Sequence, residues 1–329
     1  MRRSPLPLGY LLALAGASMF AWLGPLSRWA AADGVDSLAF VAWRAGVGSL
    51  VLAIVVAIRA LARRGQRSGP RASRRERTTL IVATVIALVL NLAIFAAFSR
   101  VTIAIALLAL YTYPAMVTAV ALVLGRERVS ASTVVALALA LGGMAVVVAG
   151  SIDPAAGLVV DPLGVVFALI AAACQTAFVT ISRDGYRSIS EDRAMAVILG
   201  GTLVGCVTIA LVNGGMGGIV LPFTRPEVLP NLIVSGTLGA AIPSLFFLGA
   251  IRLIGGMRTG ILMLFEPVVA VSLAAILLGE RLRPIQILGA VGVLGAALLL
   301  RRSSPDPDRA ARPRLADDDI LALQVPGGP

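Results

Sequence analysis

The chain has 329 residues, 58% of them hydrophobic and only 14% charged, with a net charge of +11. That balance excludes an ordinary water-soluble domain. Zero histidines and two cysteines, Cys174 and Cys206, both inside apolar runs, exclude a Cys/His metal cluster and argue against a disulfide framework.

All 28 basic residues are arginine. They crowd beside apolar runs instead of on a soluble domain, so no nucleic-acid partner is expected. The apolar runs are about twenty residues long, enough to cross a bilayer. In chain order they predict ten membrane helices: Leu8–Ala30, Leu38–Ile58, Leu80–Phe98, Ile103–Leu124, Thr133–Ala149, Leu163–Ile181, Ala194–Val212, Leu229–Ile251, Thr259–Leu278 and Ile285–Leu300. The first has the charged and apolar regions of a signal peptide. Its run continues to about Trp29 and more spans follow, so it is read as an uncleaved span. The linkers "SRVT" and "RLIGGMR" make the divisions between spans three and four and between eight and nine the shortest.

Residues 59–77 hold eight arginines and one glutamate. Arginine excess marks loops on the cytoplasmic side, so this loop is expected there, against anionic headgroups. Ten spans then place both termini in the cytoplasm. In that orientation 22 arginines lie inside and five outside, with Arg44 within span two. The tail, residues 302–329, is rich in Pro, Asp and Arg and is expected to be a disordered cytoplasmic segment. Its "DDDILALQV" stretch reads more simply as solvated chain than as a docking motif.

The sequence repeats itself at a shift of 153 to 155 residues. "PAMVTAVALVLGRER" (114–128) falls on "PVVAVSLAAILLGER" (267–281), so Pro114 meets Pro267, Glu127 meets Glu280 and Arg128 meets Arg281. Two units follow, 8–150 with the arginine-rich loop at 59–78, and 163–301. Five spans per unit is an odd number, so the second unit is inverted relative to the first. The expected fold is an all-α integral membrane protein of ten transmembrane helices in two inverted five-helix repeats. Many secondary transporters have that architecture, with the substrate site at the midplane.

"LFEPVVAVSLAAILLGERLRPIQILGAVGVLGAALLL" closely resembles the second EamA repeat of the drug/metabolite transporter superfamily. "LYTYPAMVTAVALVLGRERVS" resembles the matching part of the first, and "FVAWRAGVGSL" is similar to the same family. The resemblance covers roughly residues 8–302. It implies ten helices, cytoplasmic termini, and export or exchange of small metabolites such as amino acids, nucleosides or drugs.

Polar residues inside spans are the candidates for binding or coupling. Glu266 lies deep in span nine, where facing lipid costs a few kcal/mol. It is read either as a proton-coupling or substrate-binding group or as a packed, hydrogen-bonded carboxyl. Pro267 and Pro114 each remove a helix hydrogen bond and free the carbonyls of Met263 and Leu110; such breaks suit a cavity. Arg44 either receives a substrate carboxylate or snorkels outward to Asp36 or the headgroups, the outward role being the simpler. Tyr111 and Tyr113, two residues apart on a helix, point to different faces, so one at most lines a cavity. Trp22, Trp43, Asn91, Phe98, Gln175, Thr176 and Ser244 complete the set. Gly201, Gly205, Gly289, Gly292 and Gly295 are expected to let helices approach closely.

No phosphate-binding loop occurs, so no nucleotide drive and no cofactor are expected. An enzyme is disfavoured, since no paired intramembrane carboxylates stand ready for acid–base work. The expected function is a secondary active exporter of a small organic solute in the bacterial inner membrane, by alternating access and with proton exchange as the coupling hypothesis. A passive facilitator or channel is the alternative, and a membrane sensor or scaffold is the weaker one.

Overall fold

The computed structural model describes residues 5–62, 72–125, 130–150, 161–278 and 283–302, and these are helical apart from short turns. The middle of the arginine-rich loop, the Glu127–Arg128 and Glu280–Arg281 pairs and the tail from residue 303 lie outside the described residues. Among the described residues, ten helical segments are long and apolar enough to cross a membrane.

Six spans are single helices: Ser37–Ala62, Arg74–Phe98, Ala131–Gly150, Pro162–Ser182, Glu191–Val212 and Pro284–Arg302, which are spans two, three, five, six, seven and ten. The other four are interrupted. Span one is Pro5–Phe20 and Leu23–Ala32, parted near Gly24-Pro25. Span four is Ile103–Leu110 and Tyr113–Val123. Span nine is Gly256–Met263 and Glu266–Leu278. Span eight enters through a 3-10 turn, Pro226–Val228, and contains a π-helical stretch, Thr237–Ala241, before Ile242–Ile254. There the Ile242 N–H bonds the Thr237 carbonyl, one residue further back than in an α-helix, and Pro243 follows directly.

Two expected boundaries move for identifiable reasons. Span three starts at Arg74, not Leu80. Ser73 accepts from the Glu76 N–H at 3.2 Å and the Glu76 carboxylate accepts from the Ser73 N–H at 2.9 Å, a capping box that draws the charged "RRER" into the first turns. Between spans eight and nine the expected linker shrinks to Gly255 alone, whose φ of 86° ends one helix and starts the next without a loop. Outside the membrane spans, the "NGGMGG" connection leads into a further short helix, Gly217–Thr224.

Packing follows a two-fold logic. Span two lies along span seven, four crosses nine, and five lies along ten; one pairs with eight and three with six. Exchanging each span for its counterpart five places on turns that pattern into itself. Glycines set the closest contacts. A Cβ on Gly143 would stand 2.6 Å from the Gly289 carbonyl oxygen, and one on Gly289 would stand 2.5 Å from the Gly143 oxygen, so spans five and ten touch backbone to backbone. Gly201 and Gly205 of span seven admit Thr84 and Leu88 of span three, as expected, whereas a Cβ at Gly292 or Gly295 would meet span five only at ordinary van der Waals distance.

Ion pairs tie the two ends of the bundle. On the face carrying the chain ends, Arg59 meets Asp192 at 2.8 Å and Arg252 meets Glu191 at 2.9 Å. Arg252 also donates to the carbonyls of Tyr186 and Ile189 and lies over the Tyr186 ring. On the opposite face Asp161 caps span six by accepting from the Leu163 N–H and takes a bond from Arg100 at 3.1 Å; these contacts hold its carboxyl below the usual range.

Candidate functional site

The breaks in spans four and nine occupy equivalent positions. The first half of span four ends at Leu110 and the span resumes at Tyr113; the first half of span nine ends at Met263 and the span resumes at Glu266. Both differ by 153 residues, the spacing of the internal repeat. In each, proline is the second residue of the new helix, where a missing N–H costs little. The carbonyls of Leu110 and Met263 are the ones whose usual donors are these prolines. Glu266 therefore stands not within a regular helix but at the first turn of a new one, where unpaired N–H groups favour a negative charge.

Around this point the candidate residues converge. Tyr111 and Tyr113 both lie within electrostatic reach of the Glu266 carboxyl. Tyr111 and Tyr113 are 5% and 4% exposed. The chain turns at 111–112, between the two halves of span four, and protein covers both rings. Arg44 in span two donates to Asn91 Oδ1 in span three at 3.0 Å, and Asn91 in turn donates to the Ala87 carbonyl. Arg44 thus points inward. The outward reach to Asp36 is not made: Asp36 caps its own helix by accepting from the Ala39 N–H.

Arg44 and Glu266 feel each other's charge, but among the described residues no ion pair closes between them. Arg44, Asn91 and Glu266 lie deep in the bundle and are nonetheless only half-buried. A basic group and an acidic group that lie within electrostatic reach of each other can hold opposite charges of one solute, or pass a proton, without having to break a preformed pair first.

The remaining candidates separate. Trp43 donates from Nε1 to the Ile219 carbonyl at 2.9 Å and packs on Phe223, so it anchors the short helix outside the spans. Trp22 sits in the turn of span one, 40% exposed, and joins none of these contacts. Phe98 packs edge-on against Phe95. Thr176 bonds the Ala172 carbonyl and approaches the Tyr113 carbonyl at 3.4 Å, which brings half-buried Gln175 next to the span-four break. Ser244 lies half-buried in the first turn after the π-helical stretch.

Three features escaped the sequence reading. Cys206 of span seven is fully buried within electrostatic reach of Arg44. The π-helical stretch was signalled by Pro243 alone. Phe247 of span eight has the rings of Phe20 in span one and Phe178 in span six each 6.5 Å away, centre to centre; no spacing within any one span announces such a trio.

The model of the EamA-like transporter family matches residues 7–149 and again residues 162–302. The chain belongs to the EamA-like transporter family. It is therefore a multi-pass membrane transporter of the drug/metabolite transporter superfamily, from a family of transporters and not of enzymes. No curated protein matches it. A crystal structure of a protein 16% identical to it superposes with a TM-score of 0.66 over 89% of this chain and 96% of its own, which shows the shared fold. In this EamA-like transporter the two matched regions each contain one of the two proline breaks.

Proposed function

We propose that this transporter is a secondary active exporter of a small organic metabolite, working by alternating access and exchanging the solute against protons at Glu266. The observation that carries it is the open Glu266–Arg44 arrangement at the paired breaks of spans four and nine. Glu266 takes and releases the proton, with the Tyr111 hydroxyl within electrostatic reach of the carboxyl. Arg44, oriented by Asn91, receives an anionic group of the solute. The two-fold packing gives two equivalent ways to rock the repeats around this centre. The arginine-rich loop supports a bacterial inner membrane location with both termini and that loop in the cytoplasm.

The test is reconstitution into liposomes carrying an internal pH dye, with amino acids, nucleosides and cationic drugs added one at a time to wild type and Glu266→Gln. Solute-driven proton movement that the variant loses supports exchange at Glu266. Equal flux without proton movement in both proteins makes the protein a passive facilitator and Glu266 a packing residue.

A further inference from the structure

On the face carrying the chain ends, the start of span three and the end of span six enclose a groove of ≈ 430 Å³ lined by Arg74, Arg75, Thr78, Thr79, Val82 and Ile181. It lies far from the central carboxylate, at the level where helices meet the membrane surface. Its residue order is informative. Arg75, Thr78, Val82, Val85 and Val89 recur at alternating three- and four-residue spacing, so they form one straight stripe down span three. The stripe spans about 20 Å, enough for one leaflet of a hydrocarbon core about 30 Å thick. It is basic and hydroxylated at the top and aliphatic below, where Val82, Val85 and Val89 are 46%, 54% and 39% exposed. Span six supplies Ile181 to the groove, and Ala177, Cys174 and Ile170 follow it along span six at the same spacing, none of them fully covered by protein.

The charge of this groove is uncompensated. Arg74 and Arg75 are exposed and take part in no ion pair among the described residues. The nearby carboxylates are engaged elsewhere: Glu76 accepts from Ser73 and from the Ser188 N–H and hydroxyl, and Asp184 faces Arg183 and Arg187. The hydroxyl protons of Thr78 and Thr79 go to the carbonyls of Arg74 and Arg75. Their oxygens are left as acceptors, which suits a headgroup with hydroxyls of its own.

We propose that this groove between spans three and six is a binding site for one anionic phospholipid, with its phosphate on Arg74 and Arg75 and an acyl chain along the valine stripe. A free phosphate would use the arginines and leave the aliphatic stripe idle; the continuous polar-to-apolar run is what selects a lipid. Because span three belongs to one repeat and span six to the other, the bound lipid touches both.

Native mass spectrometry of the full-length protein in detergent tests this, with phosphatidylglycerol and phosphatidylcholine of equal chain length as probes. Wild type is expected to retain one phosphatidylglycerol in preference to phosphatidylcholine, and Arg74→Gln with Arg75→Gln together to weaken that binding roughly thirty-fold. Arg77→Gln removes a charge from the same turn at a residue that does not line the groove and is expected to leave it unchanged; its melting curve, beside that of the double variant, reports folding. Equal retention of both lipids would overturn the proposal. So would an equal loss in Arg77→Gln, which would mean diffuse attraction to the basic segment. Displacement of the lipid by soluble glycerol phosphate would show a phosphate site and overturn the lipid assignment.

Discussion

Spans four and nine break at the same point of their repeats and resume with a proline in the same place, yet one resumes with Tyr113 and the other with Glu266. The backbone is symmetric and the chemistry is not. A duplicated break supplies geometry twice: a pair of half-helix starts facing the centre, with freed carbonyls behind them. A single carboxyl among these starts gives the site one acidic group, and Arg44 on span two supplies its counterpart. Two carboxyls there would repel across a low-dielectric space and oppose each other's ionisation. The tyrosine in the equivalent place avoids that cost while keeping a polar edge near the centre.

The sharpest way to break this comparison is to make the two breaks alike. Glu266→Gln is expected to abolish solute-driven proton movement, a loss of roughly a hundredfold or more, as when a proton-transferring group is removed. Tyr113→Phe, at the equivalent position, is expected to leave exchange within a few-fold of wild type in the same liposome assay. A large loss in Tyr113→Phe and none in Glu266→Gln would reverse the assignment of roles.

Next in size is the neighbour that links the breaks. Tyr111→Phe removes a hydroxyl within electrostatic reach of the Glu266 carboxyl. A hydrogen bond from that hydroxyl to the charged carboxyl during exchange would contribute about 1.5–3 kcal/mol, so exchange is expected to fall roughly tenfold with the melting temperature little changed. A fall in stability without a fall in exchange would make the contact purely structural.

The prolines separate geometry from charge. Pro267→Ala and Pro114→Ala each restore an N–H that can bond the Met263 or Leu110 carbonyl and let the span run straight. If the breaks act as matched hinges, both variants are expected to slow exchange by similar factors, several-fold each. If Pro267 serves only to place Glu266, Pro267→Ala alone slows it. Stopped-flow pH-dye kinetics of the two variants side by side decides between these.

Much of this was legible in the sequence because hydrophobicity, proline spacing and the Pro–Glu–Arg repeat are local signals. The ten spans, their pairing into repeats and the two breaks follow from them. What was not legible depends on how spans face one another. Arg44 has carboxylates available in either direction along its helix, and only the placement of Asn91 on span three decides that it turns inward. Trp43 looks like a cavity aromatic until Ile219, 176 residues away, takes its N–H. The π-helical stretch in span eight has no composition of its own, and the start of span three was hidden because its capping box sits in charged chain that hydropathy discards.

The smallest expected effect lies outside the membrane and tests the other asymmetry, between the two faces. The chain-end face is tied by several ion pairs, and the opposite face by Asp161, which joins spans three and six through Arg100. The Asp161 carboxyl is held below its ordinary range, first by the Leu163 N–H and then by Arg100. A depressed carboxyl contributes stability above its unfolded value and loses it as pH falls through the folded one. Asp161→Ala removes cap and charge together and is expected to lower the melting temperature by about a degree or two at neutral pH. Asp161→Asn keeps an N-cap acceptor and loses only the charge, so its shift should be smaller and should shrink with added salt, because both partners are partly exposed. In acid, where the wild-type carboxyl is itself protonated, the difference between wild type and Asp161→Asn should vanish. A difference that persists there would place the contribution of Asp161 in its geometry as a cap, leaving the opposite face with no electrostatic tie of its own at this corner of the bundle.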